Sequence, residues 1–235
     1  MCGLAGYFVW DEAPPSLEEA TLLLRHRGPD AVGTWTSPSG EVGLAHTRLS
    51  ILDLSEAAHQ PLHYLHTHIV YNGEVYNFRQ LAQGGNFSLH TRSDTEVLLH
   101  AYLRWGEVFL EKLEGMFAFA LYDEQKHTLL LARDPFGIKP LWVAVQEGGI
   151  YFASELKVLR AWLRGLSVRK GAIAEFLHLG FIPAPGSWYE GVYKVLPGES
   201  WWIRPKHIQR RIFYDRERLG RLSLSFRRVE EAEEV

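Results

Sequence analysis

The sequence predicts a layered α+β fold built on antiparallel sheets, and two patterns support this. Short apolar runs alternate with turn-rich breaks such as Asp123-Glu124-Gln125-Lys126 and Asp134-Pro135-Phe136-Gly137, a spacing typical of antiparallel strands joined by short loops. Helical patterns lie between two groups of these runs, as in folds that layer helices on sheets. With 235 residues, 46% of them hydrophobic, the chain is long enough for one large domain with its own core.

The first elements follow from local patterns. Residues 3–10 form an unbroken apolar and aromatic run that stops at Asp11, which is typical of a buried strand. Ser16 is a good N-cap for a helix over residues 17–25, where apolar residues recur at helical spacing. Two further short strands are predicted over residues 42–46 and 69–72.

A second helix is predicted over residues 94–105, where apolar side chains form one stripe and Ser93 supplies the N-cap. From Met116 onwards the pattern changes to short apolar runs. The remaining predicted elements are strands over residues 117–122, 128–132, 141–145, 150–153 and 199–204, and a helix over residues 169–178. Periodicity alone does not fix the order of the strands within a sheet.

Composition excludes several classes of function. The 25 basic and 28 acidic side chains give a net charge of −3, which provides no electrostatic footprint for nucleic acid or an anionic membrane. No apolar run approaches the roughly 18 residues of a membrane span, and the start of the chain lacks the pattern of a secretory leader. A single cysteine forms neither an internal disulfide nor a thiolate cluster, so we expect a cytoplasmic protein.

Four histidines lie close together at positions 59, 63, 66 and 68. Their spacing matches no common zinc pattern, and no carboxylate occurs among them. We therefore interpret this segment as the polar edge of a hairpin rather than as a metal site, and no metal is expected.

The lone cysteine directly follows the initiator methionine. Removal of Met1 would place a thiol and a free α-amine on Cys2. Such an amine has a pKa of about 7.7–8.0 and is able to act as a base, while a thiol with a pKa of about 8.5 needs little help to become a nucleophile. The alternative is a small buried apolar cysteine, so this hypothesis depends on partner residues.

Candidate partners occur in three separate segments. Arg48 ends a strand and suits a planar carboxylate. Asn72 and Gly73 follow another strand and offer a side-chain amide and a backbone N–H to one oxyanion. Asp94 begins a helix and could pair with an ammonium group. Each has an ordinary alternative: a surface charge, a turn, and a carboxylate favoured by the helix dipole. Together they meet the requirement for attack on an α-amino acid amide.

A series of short motifs runs in order along the chain. They are Cys2-Gly3, RHRGPD (25–30), AHTRLSI (45–51), NGEVYN (72–77), SDTE (93–96), GMFAFA (115–120), RDPFGIKPL (133–141) and SELK (154–157). This set resembles the glutaminase half of glutamine-dependent asparagine synthetases, a class II glutamine amidotransferase of the N-terminal-nucleophile hydrolase superfamily. A weaker likeness continues through residues 181–185 and 196–198.

The resemblance implies a four-layer αββα sandwich and hydrolysis of L-glutamine with release of ammonia. It implies that Cys2 is the nucleophile and that Asn72 and Gly73 form the oxyanion hole. Glu74 and Asp94 would bind the α-amino end of glutamine. The carboxylate end would be held by Arg48 and its neighbours Leu49, Ser50, Ile51 and Leu52.

The chain departs from this family pattern in one respect. It contains neither the Ser-Gly-Gly-x-Asp-Ser loop that binds ATP in the synthetase half nor a Walker-type glycine loop. We therefore expect no cofactor in this chain, with ATP and magnesium serving only a synthetase part outside it. Residues 1–215 are expected to form the glutaminase domain. Residues 216–235, with five Arg and five Glu, form a charged tail or the start of the missing synthetase domain.

The expected partners are L-glutamine and a synthetase domain or subunit, and a homodimer is an open alternative. Two other functions are alternatives to glutamine hydrolysis. One is a non-catalytic docking or regulatory module of a split synthetase. The other is an N-terminal-nucleophile hydrolase for a different amide, which Arg48 and Asp94 disfavour because they match both ends of an amino acid.

Overall fold

The computed structural model describes residues 1–51 and 53–214. The strands are β1 (Gly3–Val9), β2 (Ala31–Thr36), β3 (Val42–Arg48), β4 (Leu62–Tyr64), β5 (Thr67–Val75), β6 (Gly115–Asp123), β7 (Thr128–Arg133), β8 (Trp142–Gln146), β9 (Gly149–Ala153), β10 (Val192–Lys194), β11 (Glu199–Arg204) and β12 (His207–Ile212). The helices are α1 (Leu17–Leu24), α2 (Phe78–Gly85), α3 (Asp94–Trp105), α4 (Leu156–Trp162) and α5 (Lys170–Leu179). The predicted tail over residues 216–235 lies outside the described residues.

The strands form two antiparallel sheets, each with six strands among the described residues. The first sheet has the order β10-β8-β9-β1-β3-β2, and the second has the order β12-β11-β7-β6-β5-β4. The inner faces of the two sheets enclose one apolar core. The outer face of the first sheet packs against α1 and α4, and that of the second packs against α2 and α3. The predicted αββα sandwich is therefore confirmed.

Strand β1 shows why its sequence is apolar without alternation. Leu4 and Phe8 point into the core between the sheets, whereas Ala5, Tyr7 and Val9 point towards α1 and α4. A strand covered on both faces reads as a continuous hydrophobic run. This strand lies in the middle of its sheet, and it fixes the position of the residue that precedes it, Cys2.

The predicted caps of α1 and α3 are confirmed. The Ser16 hydroxyl accepts a hydrogen bond from the Glu19 N–H at 3.1 Å, and the Ser93 hydroxyl accepts one from the Thr95 N–H at 3.2 Å. Each cap satisfies a backbone donor that the first helical turn leaves without a partner. The cap of α3 also fixes the backbone position of Asp94, the first residue of this helix.

Several elements were not predicted from the sequence: β2, β4, β10, β12, α2 and α4. They are short or lie at sheet edges, where weak local patterns are decided by tertiary packing. Strand β5 was predicted too short, over residues 69–72. The interpretation that Asn72 and Gly73 follow a strand is wrong, because both lie within β5 and pair with β6. Their position inside a strand determines the geometry of the site.

Candidate active site

A cavity of about 310 Å³ opens where β1 begins and β3 ends. Ser50 does not line it among the described residues, and its N–H bonds the Asp30 carboxylate at 2.8 Å instead. Leu52 lies outside the described residues. The predicted site residues that line this cavity together are Cys2, Arg48, Leu49, Ile51, Asn72, Gly73, Glu74 and Asp94.

The Cys2 side chain is held by the backbone of Leu49, just after β3. The Leu49 N–H donates to Cys2 Sγ at 3.4 Å, and Sγ lies 3.6 Å from the Leu49 carbonyl oxygen. Burial raises the pKa of the Cys2 thiol, although the Leu49 N–H, the chain's amino terminus, Arg48 and Arg27 act in the opposite direction. A thiol in this position needs a nearby base to become a nucleophile.

The backbone of Cys2 is held by Arg27, which belongs to the RHRGPD motif but was given no role from the sequence. Arg27 Nε donates to the Cys2 carbonyl oxygen at 3.0 Å, and Arg27 Nη1 donates to Glu155 Oε1 at 3.0 Å. Glu155 also bonds His26 Nε2 at 2.8 Å and Lys157 Nζ at 3.1 Å. Burial opposes ionisation of Glu155, but the bonds from Arg27, Lys157 and His26 outweigh it and lower its pKa to about 2.

Replacing Glu155 by glutamine is expected to destabilise the fold in a pH-dependent way. Because the pKa of Glu155 falls from 4.5 to about 2 on folding, its contribution is complete above the unfolded value and is lost as the pH falls through the folded value. We expect Glu155→Gln to lower the free energy of unfolding by about 2 kcal/mol at neutral pH, allowing for solvent screening. Urea denaturation at several pH values measures this difference, which should shrink as the pH is lowered.

Glu175→Gln provides a matched control for that measurement. Glu175 forms a bidentate ion pair with Arg169 at 2.7 and 2.9 Å, on the surface and away from the cavity. An exposed ion pair contributes little, so the loss should be smaller than for Glu155→Gln. Equal losses for both variants at all pH values would contradict the role given to Glu155.

Arg48, the last residue of β3, is 6% exposed and lines the cavity. Its Nη1 donates to the Ser55 carbonyl oxygen at 2.8 Å, and its Nη2 donates to the Asp53 carbonyl oxygen. Two of the five guanidinium N–H donors therefore brace the loop after β3. The positive charge remains at the cavity wall, where it favours an anionic group.

Strand β5 has an edge that faces this cavity. Strand β4 covers β5 only at residues 67–69, so the backbone groups beyond them need other partners. The Tyr71 N–H donates to Gln60 Oε1 at 2.6 Å, and the Tyr71 carbonyl oxygen accepts from His46 Nε2 at 3.0 Å. Burial lowers the pKa of His46 to about 3, so this histidine is a neutral donor that joins the two sheets.

Gly73 turns its N–H towards the same edge, because successive residues of a strand point to alternate sides. It lies opposite Phe117, whose N–H and carbonyl are both bonded to Asp134, at 3.3 and 2.7 Å. Two residues further along, the Val75 N–H is bonded to Asp94 Oδ2 at 2.9 Å. No acceptor among the described residues is bonded to the Gly73 N–H.

A second unpaired donor belongs to the neighbouring residue. Asn72 is 1% exposed, and its Nδ2 has no hydrogen-bond partner among the described residues. A buried donor without a partner costs about 1–3 kcal/mol, so such groups often have a functional reason. Only glycine fits at position 73, directly after Asn72, because a Cβ there would lie 2.4 Å from the Met116 carbonyl oxygen.

Asp94 and Glu74 supply negative charge to the cavity, and Asp94 is 4% exposed. Asp94 Oδ2 accepts from the Tyr71 hydroxyl at 2.6 Å and from the Val75 N–H. Burial raises the pKa of Asp94, the bonds from Tyr71 and Val75 lower it, and the charge of Glu74 raises it further. The cavity therefore combines two cationic and three acidic side chains, a thiol and two N–H donors without partners among the described residues.

Other classes of site find no support in the described part of the chain. No group of three or more His, Cys, Asp or Glu residues there is arranged to hold a metal ion. Two of the four clustered histidines instead lie near carboxylates singly, His66 with Asp123 and His68 with Glu124. Among the described residues, every helix is too short or too polar to cross a membrane.

Solved structures share this fold. The glutamine phosphoribosylpyrophosphate amidotransferase of B. subtilis superposes with a TM-score of 0.65 at 22% identity, over 91% of this chain and 49% of that chain. A glutamine aminotransferase class-II domain protein from Silicibacter pomeroyi gives a TM-score of 0.53 at 14% identity, over 91% of this chain and 100% of that chain. At these identities the likeness concerns the fold, and it confirms the predicted N-terminal-nucleophile hydrolase architecture.

The family is decided by sequence. The family model described as "Glutamine amidotransferase domain" matches residues 1–214. The chain belongs to this family. The resemblance that the motifs indicated is thereby confirmed, and the cavity described above lies within the matched region of this amidotransferase domain.

Curated relatives are longer than this amidotransferase domain. Asparagine synthetase [glutamine-hydrolyzing] 1 of Bacillus subtilis is 38% identical over 216 residues, covering 87% of this chain and 34% of the relative. Asparagine synthetase B of Escherichia coli is 41% identical over 167 residues, covering 68% of this chain and 30% of the relative. Amidase chry2 of Gibberella zeae is 39% identical over 193 residues, covering 80% of this chain and 28% of the relative. The chain thus spans about a third of the length of these relatives.

Proposed function

We propose that this chain hydrolyses L-glutamine to glutamate and ammonia, with Cys2 as the nucleophile. The observation that supports this best is that two N–H donors without partners among the described residues, Asn72 Nδ2 and the Gly73 N–H, lie in the cavity that also holds the thiol. Paired donors of this kind stabilise the oxyanion that forms when a nucleophile attacks a carbonyl group. We assign residues 1–215 to this glutaminase domain.

The charges of the cavity fit the two ends of the amino acid. Arg48 and the adjoining backbone of residues 49–52 would bind the α-carboxylate of glutamine. Asp94 and Glu74 would bind its α-ammonium group. With both ends held, the side-chain amide would reach the thiol and the unpaired donors, because binding at remote groups positions the reacting atoms.

The reaction would proceed in two steps through the α-amine of Cys2. The amine takes the thiol proton, and the thiolate attacks the amide carbon so that its oxygen becomes the oxyanion. When the oxyanion collapses, the C–N bond breaks and the nitrogen takes the proton from the ammonium, leaving as ammonia. Water then attacks the γ-glutamyl thioester while the same amine accepts its proton, and glutamate and the thiol are released.

This mechanism requires removal of Met1, because only then does Cys2 carry the free α-amine. Met1 lines the cavity and is 56% exposed, so a processing enzyme has access to it. The pKa of the thiol is raised, and a thiol that ionises poorly needs a base in contact with it. The α-amine of Cys2 would be that base.

The ammonia would serve an ATP-dependent amidation of the asparagine synthetase type. Two of the relatives named above are glutamine-hydrolysing asparagine synthetases about three times as long as the matched region. We propose that the acceptor reaction, with its ATP and magnesium, belongs to a synthetase domain or subunit outside these 235 residues.

The test compares two substrates that differ only in the α-amino group: L-glutamine and 4-carbamoylbutanoate. Ammonia release by the purified chain is measured with each, and intact mass reports the state of Met1. We expect kcat/KM to be at least about 100-fold higher for glutamine, because the analogue leaves the buried carboxylate of Asp94 unpaired. Equal rates would favour a hydrolase of other amides, and no turnover by chains lacking Met1 would contradict the proposal.

A further inference from the structure

Tyr71 and Asp94 form a buried pair in the wall of the cavity. The Tyr71 hydroxyl donates to Asp94 Oδ2 at 2.6 Å, and the two residues are 3% and 4% exposed. The backbone of Tyr71 is fixed on both sides, by Gln60 at its N–H and by His46 at its carbonyl oxygen. The backbone that carries the phenol is therefore held in place, so the hydroxyl can hold the carboxylate in one orientation.

The two oxygens of Asp94 have different surroundings. Oδ2 accepts two hydrogen bonds, from the Tyr71 hydroxyl and from the Val75 N–H. Oδ1 accepts no hydrogen bond from another residue among those described, and Asp94 lines the cavity. We propose that Tyr71 is a positioning residue for substrate selection, which holds Asp94 so that Oδ1 receives the α-ammonium group of glutamine. This inference rests on the proposed function and deepens it.

The hydroxyl of Tyr71 also favours the ionised form of Asp94. Burial and the charge of Glu74 raise the pKa of Asp94, while the bond from Tyr71 is the largest influence in the other direction. A carboxylic acid without charge would bind an ammonium group poorly. The other ionisable or charged groups that face this cavity are Cys2, Arg48, Asp53 and Lys139. None of them is bonded to Asp94 among the described residues.

Tyr71→Phe removes the hydroxyl and keeps the ring. Glutaminase kinetics are measured from about pH 5.5 to about pH 8.5, on chains whose Met1 has been removed. We expect the KM for glutamine to rise most at the acidic end, by up to tenfold for each unit by which the pKa of Asp94 increases. The ratio of variant to wild-type KM should fall as the pH rises, with little change in kcat.

The structure offers a matched control. Tyr102 donates its hydroxyl to Asp123 Oδ2 at 2.8 Å, in a second buried Tyr–Asp pair that does not line the cavity. Tyr102→Phe should leave the KM for glutamine unchanged at every pH, although it removes the same kind of bond. In addition, Tyr71→Phe should not raise the KM for 4-carbamoylbutanoate, which has no ammonium group to bind.

A double-mutant cycle completes the test. Asp94→Asn removes the titrating group, so adding Tyr71→Phe to it should produce no further pH-dependent loss. A KM ratio that is constant across the pH range, or an equal loss with 4-carbamoylbutanoate, would overturn the role of Tyr71 while leaving the glutaminase intact. If wild-type protein lacking Met1 does not hydrolyse glutamine, it is the proposed function that fails.

Discussion

Cys2→Ala is expected to abolish glutamine hydrolysis. Loss of the nucleophile in a hydrolase that works through a covalent intermediate costs on the order of 10⁶ in kcat, which leaves ammonia release at background. Alanine is small enough for Met1 removal to continue, so the variant keeps the free α-amine and the cavity. Ammonia and glutamate production, followed over hours at saturating glutamine, measure the loss.

Binding separates loss of chemistry from loss of structure in that experiment. Arg48 and Asp94 are unchanged in Cys2→Ala, so calorimetry should still detect glutamine, and the melting temperature should be close to that of the wild type. Because Cys2 is the lone cysteine of the sequence, an electrophilic glutamine analogue should label wild-type protein once and the variant not at all. Parental turnover by the variant would exclude Cys2 as the nucleophile.

Asn72→Ala is expected to lower kcat by on the order of 10²–10³, the usual cost of removing one oxyanion donor. The KM for glutamine should change little, because Asn72 would act on the oxyanion rather than on either end of the amino acid. The side-chain amide nitrogen has no partner to lose, so the variant should lose much less stability than activity. Steady-state kinetics and thermal denaturation on the same samples measure both quantities.

Asn77 offers a control of the same residue type just beyond β5. Its side chain donates to the Lys112 carbonyl oxygen at 2.8 Å and accepts from the Glu114 N–H at 3.1 Å. Asn77→Ala should therefore reduce stability while leaving kcat near the wild-type value. The oxyanion role would be refuted if Asn72→Ala kept full kcat, or if both variants lost activity in proportion to stability.

Much of the fold could be predicted because strong local signals coincide with it. The unbroken apolar run of β1 and the caps at Ser16 and Ser93 depend on neighbours in sequence, and the structure contains each of them. Edge strands such as β2 carry weaker patterns, since exposed residues alternate there with partly buried ones. Their pairing is a property of the sheet rather than of the segment.

The roles of the residues that hold the site in place could not be predicted this way, even where those residues lie in the quoted motifs. Arg27 and Glu155 are separated by 128 positions and meet only in the folded chain. Tyr71 lies in the predicted strand over residues 69–72 and Gln60 in the histidine-rich segment before it, and nothing in their spacing shows that both bond groups at the edge of β5. Charge and residue type indicate which side chains could react. The residues that hold those side chains in position are identified only by tertiary contacts.

The pairing of β5 with β6 has a consequence for how this chain tolerates change. Nine residue pairs, from Thr67 with Asp123 to Val75 with Gly115, set which backbone amides face the cavity. A slip of one position would send the Gly73 amide into the sheet and bring out those of Asn72 and Glu74. We therefore expect insertions or deletions in either strand to lower the rate of glutamine hydrolysis, even where the hydrophobic pattern is kept and the protein still folds.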